Sequence, residues 1–444
     1  MTIETLGAER LGFVGFWERP RAERDQVFAE LRAADGPQWF MMPKVPFTES
    51  GDGAWALVTH AQVSEASRDA ALFSSEPTAN SLADLPAILE PYFGSMINMD
   101  DPRHAQIRKI VARAFTPKIL QQMEEDLRVR ATRIVDDLLR EGPTDFVTQV
   151  AARLPIEVIC DMLGIPGEHF ADIQRWTNQS LGYTDAEYNG GIPRVDEDLT
   201  RVDMLRSFAR FVRAGRGLFK LAKRIGEERR RNPTGDLTTK LVVAQDGEEA
   251  LTPQEFGAFF LLLVAAGNET TRNALAHGVH LFTRNPDQLA LLMEDFDGRV
   301  GGAIEEIIRF ASPVIMFRRN VTRDVVFHGR QMRKGDKVVL FYPSANRDET
   351  VFAEPDRFDI LRESNRHVGF GGPGPHYCLG AHLARRELTV MLRELYTRVP
   401  HLRTVGEPDE LRSYFINGIK HMGFAIDAPA ADASGAAAVP AVAG

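Results

Sequence analysis

Apolar residues recur at helical spacing over most of this chain and at strand spacing over little of it. Ile119, Met123, Leu127, Ile134 and Leu138 mark one face of an amphipathic helix between Lys118 and Arg140. Pro155 to Leu163 reads as a buried helix that stops at Gly164. Residues 168–231 predict long, charge-laced helices ending in Arg229-Arg230-Arg231, a solvated helix end. The strongest signal starts at Thr252. Thr252-Pro253-Gln254-Glu255 is a capping box with proline at the first helical position, and the helix runs to Arg284, where Asn285-Pro286 ends it. Its first half is apolar nearly all round, so it crosses the interior of a large domain.

Strand signals are few. Trp55 to Thr59 predicts one strand, and Val325–His328 and Lys337–Tyr342, flanked by Gly329 and Gly335, predict a hairpin. Residues 1–50 read as irregular, broken by Pro37, Pro43 and Pro46. Residues 74–99 read as a long loop with a short helix, and Asp101-Pro102 opens the next one. The expected class is mainly α with a minor β portion: one domain over 1–427 and an Ala/Pro-rich disordered tail over 428–444.

Composition narrows the function. The 444 residues carry 53 basic and 62 acidic side chains, a net charge of −9, which excludes sequence-independent nucleic-acid binding. The longest apolar run, Phe256 to Ala266, is well short of the ~18–20 residues of a membrane span. The N-terminus lacks the pattern of a signal peptide, and two cysteines, Cys160 and Cys378, cannot build a disulfide framework. A soluble cytoplasmic protein is expected.

Four groups of residues carry candidate chemistry. Cys378 follows Gly369, Gly371, Gly372 and Gly374, interleaved with Pro373 and Pro375, and precedes a helical pattern. Such a loop lets a flat group approach the backbone, and a helix N-terminus favours a thiolate. In Ala266-Gly267-Asn268-Glu269-Thr270-Thr271 a threonine can bond back to a carbonyl and bend the helix, while Gly267 weakens that turn. Glu306 and Arg309 share one helix face, as do His104 and Arg108.

The Cys378 segment resembles the haem-binding loop of the cytochromes P450, with Phe370, Gly372, Gly374, His376, Cys378 and Gly380 in the family's positions. Phe370 lies eight residues before the cysteine, one more than is usual in the family. Glu306-x-x-Arg309 resembles the family's conserved pair, and the resemblance implies a third member, Arg357, in a structural network behind the loop. The 266–271 stretch resembles the oxygen-activation motif, which implies Glu269 and Thr270 as a catalytic acid–alcohol pair that relays protons. His104, Arg108, Arg319 and His376 match the haem-propionate contacts, with Arg318 competing for the place of Arg319.

The resemblance covers about residues 10–425 and is most similar to actinobacterial branched-lipid and sterol-side-chain hydroxylases. It implies the triangular, helix-rich P450 fold, haem b ligated by Cys378, O2 as co-substrate, and a monomer. Electrons are expected from a separate ferredoxin and ferredoxin reductase, since the chain shows no flavin or nicotinamide domain. The implied docking face carries Arg103, Lys109, Arg113, Arg385 and Arg386. The implied pocket is lined by the loop 77–98, helices near 170–215, Leu262, Leu263, Ala266, Val314, Phe317, Phe415 and Ile416. Phe317 and Phe415 are the candidates for a narrowing. The expected reaction is hydroxylation at or near the end of a methyl-branched lipid, isoprenoid or sterol side chain. The alternatives are a P450 acting on another hydrophobic secondary metabolite, and a haem-thiolate binding protein without turnover; Glu269-Thr270 counts against the latter.

Overall fold

A computed structural model describes residues 11–12, 14–42, 53–82, 94–190, 201–244 and 250–427. The expected tail over 428–444 lies outside the described residues, as do parts of the loop 77–98. Helices named below are α1 (Arg21–Ala33), α2 (His60–Arg68), α3 (Arg103–Ala112), α4 (Glu124–Glu141), α5 (Arg153–Met162), α6 (Phe170–Leu181), α7 (Arg201–Arg231), α8 (Pro253–Arg284), α9 (Pro286–Glu294), α10 (Phe296–Ala311) and α11 (Ala381–Arg398).

The centre of the molecule is α8. Its capping box forms as the sequence dictates: Glu255 N–H donates to Thr252 Oγ1 at 3.2 Å, and Thr252 N–H donates to the Glu255 carboxylate at 3.0 Å. Phe256, Phe260, Val264 and Phe282 along it are at most 1% exposed. It packs on α5, α7, α10 and α11. A helix apolar all round is stable only in such surroundings.

Several elements depart from expectation. The amphipathic run after Lys118 is two helices, Pro117–Gln122 and α4, meeting at Met123. Thr116 caps the first, and Glu124, Glu125 and Asp126 sit at the N-terminus of the second, where negative charge is favoured. The supposedly irregular N-terminal stretch holds α1, whose Arg24, Phe28 and Leu31 face inward at helical spacing. An arginine in that row disguised the pattern; it is buried because it pairs with Glu410 at 2.8 Å. Arg229 is not a solvated helix end either. Its guanidinium pairs with Asp236 at 2.5 Å and donates to Gly164 O at 2.9 Å.

The main sheet has five strands in the order β1 (Gln38–Met41), β2 (Gly53–Leu57), β7 (Lys337–Phe341), β4 (Met316–Val321), β3 (Phe73–Ser74). The β2–β7 pair is parallel, with Trp55 opposite Val338, and β4–β7 is antiparallel, with Arg319 opposite Val338. The expected pairing of Val325–His328 with Lys337–Tyr342 is not formed. β5 (Val325–Phe327) pairs with β6 (Arg330–Met332) through the turn at His328-Gly329, both at positive φ. β7 is buried along its whole length and takes the central place instead, as a continuous apolar run requires. Small two-stranded pairs, β8 (Arg403–Thr404) with β11 (Phe424–Ala425) and β9 (Asp409–Glu410) with β10 (Ile419–His421), complete a mostly helical fold.

Candidate active site

The loop before α11 is shaped by its glycines. Gly371, Gly372 and Gly374 have φ of 99°, 69° and 149°, and a Cβ on Gly374 would stand 2.0 Å from Ser67 O. Main-chain bonds close the loop: Gly371 N–H to Val368 O at 2.8 Å, and Cys378 N–H to Phe370 O at 2.9 Å. The Cys378 side chain lies deep in the protein yet remains accessible, so it opens on an interior face rather than on bulk water. Burial pushes its thiol up, while the Gly380 N–H, Arg108 and Arg385 act in the other direction. The Gly380 N–H at the start of α11 thus favours the thiolate, against the cost of burial. Cys160 is sealed in the core, its thiol pushed by burial up to about 12.

Cationic and donor groups converge beside this loop. His104 on α3 is 2% exposed, and its ring stands 4.2 Å from that of His376. One turn later Arg108 donates to Tyr377 O at 2.6 Å. Arg319 on β4 is buried, donates to Arg318 O at 2.7 Å, and has no ion-paired carboxylate among the described residues. Arg318 projects to the opposite face of the strand, where it donates to Thr78 O at 3.2 Å and Leu82 O at 2.8 Å. Strand alternation thus sends Arg319 toward the histidines and leaves Arg318 to hold the preceding loop.

Burial lowers His104, although Asp101 opposes it. Burial, Arg319, His104 and Arg108 push His376 down to about 3. His376 Nε2 is 3.0 Å from Ser75 Oγ, whereas His104 Nε2 is buried without a hydrogen-bond partner. Arg108 and Arg319, with no ion-paired carboxylate among the described residues, and the orphaned His104 nitrogen lie around the two histidines beside the Cys378 loop, and they fit a flat group bearing two carboxylates and a thiolate-bound metal.

Behind the loop stands Glu306, 0% exposed. Arg309 forks onto it with two bonds of 2.8 Å and also donates to Asn346 O and Pro355 O, each at 2.8 Å. The third arginine is Arg362, not Arg357. Arg362 Nε lies 3.1 Å from the Glu306 carboxylate, and Asn365 and the Asp359 N–H add bonds of 3.0 Å each. Arg357 contributes its carbonyl, which accepts from Arg362 at 2.9 Å; its side chain turns outward to Glu354. The chain passes Arg357 at the rim of the meander and re-enters at Arg362, so only the later guanidinium reaches the buried acid. These donors hold Glu306 below the usual carboxylate range despite its burial.

On α8, Thr270 Oγ1 donates to Ala266 O at 2.7 Å. Ala266 is exposed and Thr270 half-buried although the helix is buried on either side, so this face also opens inward. Glu269 points elsewhere. It is 1% exposed, ion-paired with Arg272, and approached by Asn268 Nδ2 at 3.3 Å. Arg272 in turn donates to Asn178 on α6 at 3.2 Å. Burial raises the Glu269 carboxyl above its ordinary value, opposed by Arg272. The acid and the alcohol are neighbours in sequence but not in contact. Arg272 and Asn178 escaped the sequence reading; the arginine three residues after Glu269 was the available signal.

The expected pocket residues are partly assembled. Phe317 and Phe415 meet edge to face, centroids 5.6 Å apart, and Val314 bridges to Ile416. Leu262 is half-buried, while Leu263 and Ile416 are turned into packed interior, 9% and 2% exposed. The expected docking cations are largely neutralised. Arg103 pairs with Glu255, Arg386 with Glu124, and Arg385 with Glu305, which also takes His367 at 3.0 Å. The Arg385 guanidinium lies 4.4 Å from the centroid of the Phe370 ring.

A helix-rich body that backs an accessible cysteine with a buried charge network, beside arginines without an ion-paired carboxylate among the described residues, is what a haem-thiolate protein requires. Residues 73–399 match the cytochrome P450 family, and the chain belongs to it: it is a haem b monooxygenase. It is 43% identical over 413 residues, 92% of either chain, to a methyl-branched lipid omega-hydroxylase of Mycobacterium tuberculosis. It is 37% identical over 406 residues, 89% of either chain, to a steroid C26-monooxygenase of Mycolicibacterium smegmatis. Among solved structures, a Mycobacterium marinum cytochrome P450 in complex with pseudoionone superposes with a TM-score of 0.85 at 35% identity, covering 93% of this chain and 97% of that one.

Proposed function

We propose that this enzyme hydroxylates an extended apolar molecule, a methyl-branched lipid, isoprenoid or sterol side chain, at or near its terminal carbon. The observation that carries the reading is the Phe317–Phe415 pair, two aromatic rings held edge to face beside the bridge from Val314 to Ile416. A terminal C–H is harder to break than a secondary or tertiary one, so attack there needs a passage that admits the chain end-on and holds its other carbons away. No charge falls between Phe259 and Ala266, so transfer of apolar area dominates affinity, at roughly 25 cal/mol per Å². The relatives named for methyl-branched lipid and steroid substrates support the same class.

Thiolate-bound haem supplies activation of O2 and insertion of one oxygen atom into a C–H bond. The chain's residues do the rest in this reading. Cys378 would hold the iron, and Gly380 and Phe370 would frame its sulfur. Arg108, Arg319, His104 and His376 would bind the two carboxylates, with His376 also within hydrogen-bond reach of Ser75. Thr270, with its proton committed to Ala266 O, keeps its lone pairs for a proton-carrying water. Glu269 becomes the proton source when it leaves Arg272. A separate ferredoxin supplies the electrons.

Thr270→Ala is expected to leave haem and substrate binding in place. It should slow product formation about 10²-fold, the scale of one general acid–base group, while electrons are diverted to peroxide. Unchanged coupling of electron use to product would remove Thr270 from the relay. The substrate class is tested by product analysis across branched fatty acids, isoprenoids and sterols, where end-of-chain alcohols are expected. Oxidation confined to mid-chain or ring positions, or preferential binding of polar aromatics, would overturn it.

A further inference from the structure

Helix α7 is anchored on one side and unlike an ordinary surface helix on the other. Ala214, Leu218, Leu221, Ala222 and Ile225 are 0–6% exposed and pack on α6 and α8. At 100° per residue these five lie on one side, and Leu205 lies almost diametrically opposite. On that outer side Val202 is 54%, Leu205 56% and Phe208 42% exposed, a row of large apolar side chains over the first two turns. Single exposed apolar residues are ordinary, but a row on one face marks a contact surface.

The same outer side carries Arg206, Arg213, Arg216 and Lys220, all exposed. Arg206 reaches Asp203 at 4.0 Å; the other three have no ion-paired carboxylate among the described residues. The helix holds eleven basic and three acidic residues, a net charge of +8 in a chain whose net charge is −9. Including Asp196, Glu197 and Asp198 just before it still leaves +6 over residues 191–231. Charge of this sign concentrated on one element of an acidic protein selects an anionic partner.

We propose that the outer face of α7 docks on an anionic phospholipid surface. Val202, Leu205 and Phe208 enter the boundary between headgroups and acyl chains, and the arginines bind headgroup phosphates. The apolar row and the basic stripe overlap on one exposed face, the arrangement of a helix that lies in the interface plane. Arginine and lysine stems lie along apolar surface while their heads reach phosphate. An acidic protein would satisfy the arginines but, without a groove shaped to this face, would leave the apolar row in water. No described helix is long and apolar enough to cross a membrane, so the contact is a surface one. The inference does not rest on the substrate class, because binding is read without turnover.

The test is flotation of the full-length haem protein with phosphatidylcholine vesicles, with and without about a third phosphatidylglycerol. Binding is expected to the anionic vesicles only, and to fall as salt rises. Arg213→Gln with Arg216→Gln should weaken it about 25-fold, at roughly fivefold per cation. Leu205→Ser with Phe208→Ser should weaken it at least as much. All four positions are exposed, so an unchanged visible spectrum and melting temperature certify the fold. No binding to anionic vesicles at low salt overturns the proposal. Binding that depends on the arginines but ignores Leu205→Ser with Phe208→Ser also overturns it, and assigns the face to an acidic protein.

Discussion

Cys378→Ser protein is expected to fold and to lose, completely, the strongly red-shifted Soret band that thiolate-ligated haem shows on reduction with carbon monoxide. Hydroxylation should be lost with it. A serine hydroxyl stays protonated where a thiol can ionise, and it lacks the electron donation that a thiolate gives to iron. The fold should survive because the loop is closed by main-chain bonds, Cys378 N–H to Phe370 O among them, which the substitution leaves in place. Cys160 offers no substitute: it is buried in the core and its thiol is held protonated. Retention of the band in Cys378→Ser would remove Cys378 as ligand. A mutant that fails to melt cooperatively would instead show that the thiol has a packing role.

The second large effect concerns Glu306. Glu306→Ala leaves Arg309 and Arg362 facing each other in a buried site without their counter-charge, and is expected to cost about 3–5 kcal/mol. Arg362→Ala removes one charged donor from an acid that keeps Arg309, at about 1.5–3 kcal/mol. Arg357→Ala should cost no more than about 0.5 kcal/mol, because its exposed side chain is ion-paired with exposed Glu354. Denaturant unfolding of the three variants orders them. If Arg357→Ala proved as damaging as Arg362→Ala, the placement of the third arginine would be wrong. Because Glu306 is held below its ordinary value of 4.5, its contribution is complete above that pH and is lost as pH falls through the lower folded value.

The sequence made much of this legible where local chemistry acts alone. The capping box at Thr252 and Glu255, the stop at Asn285-Pro286 and the glycines around Cys378 act through their own backbone, and each stands where the pattern puts it. What spacing could not give was direction in three dimensions. Arg357 and Arg362 are both arginines in one irregular meander, and only the path of that meander decides which faces Glu306. Glu269 and Thr270 are adjacent letters, yet the helical rotation between them sends one to Arg272 and the other to the open face. Arg385 and Arg386 read as free cations because their acids, Glu305 and Glu124, lie far away in the chain. Buried arginines such as Arg24 likewise hid an inward helix face from a reading that equates charge with solvent.

The parallel pairing of β2 with β7 also sets an order of events during synthesis. Leu57 leaves the ribosome about 280 residues before Lys337, an interval of roughly 15–60 s at about 5–20 residues per second. Throughout that time the β1–β2 hairpin offers an unsatisfied ladder edge with no partner in the nascent chain, a template for wrong pairing. Once β7 arrives it joins the first quarter of the chain to the strand that carries Arg319, and the residues that close the Cys378 loop follow within seconds. Chains that terminate before Phe341 therefore strand their N-terminal hairpin and should aggregate. The yield of soluble protein is governed by how well that early edge is sheltered, for example by slower growth at low temperature or by a chaperone that holds extended segments.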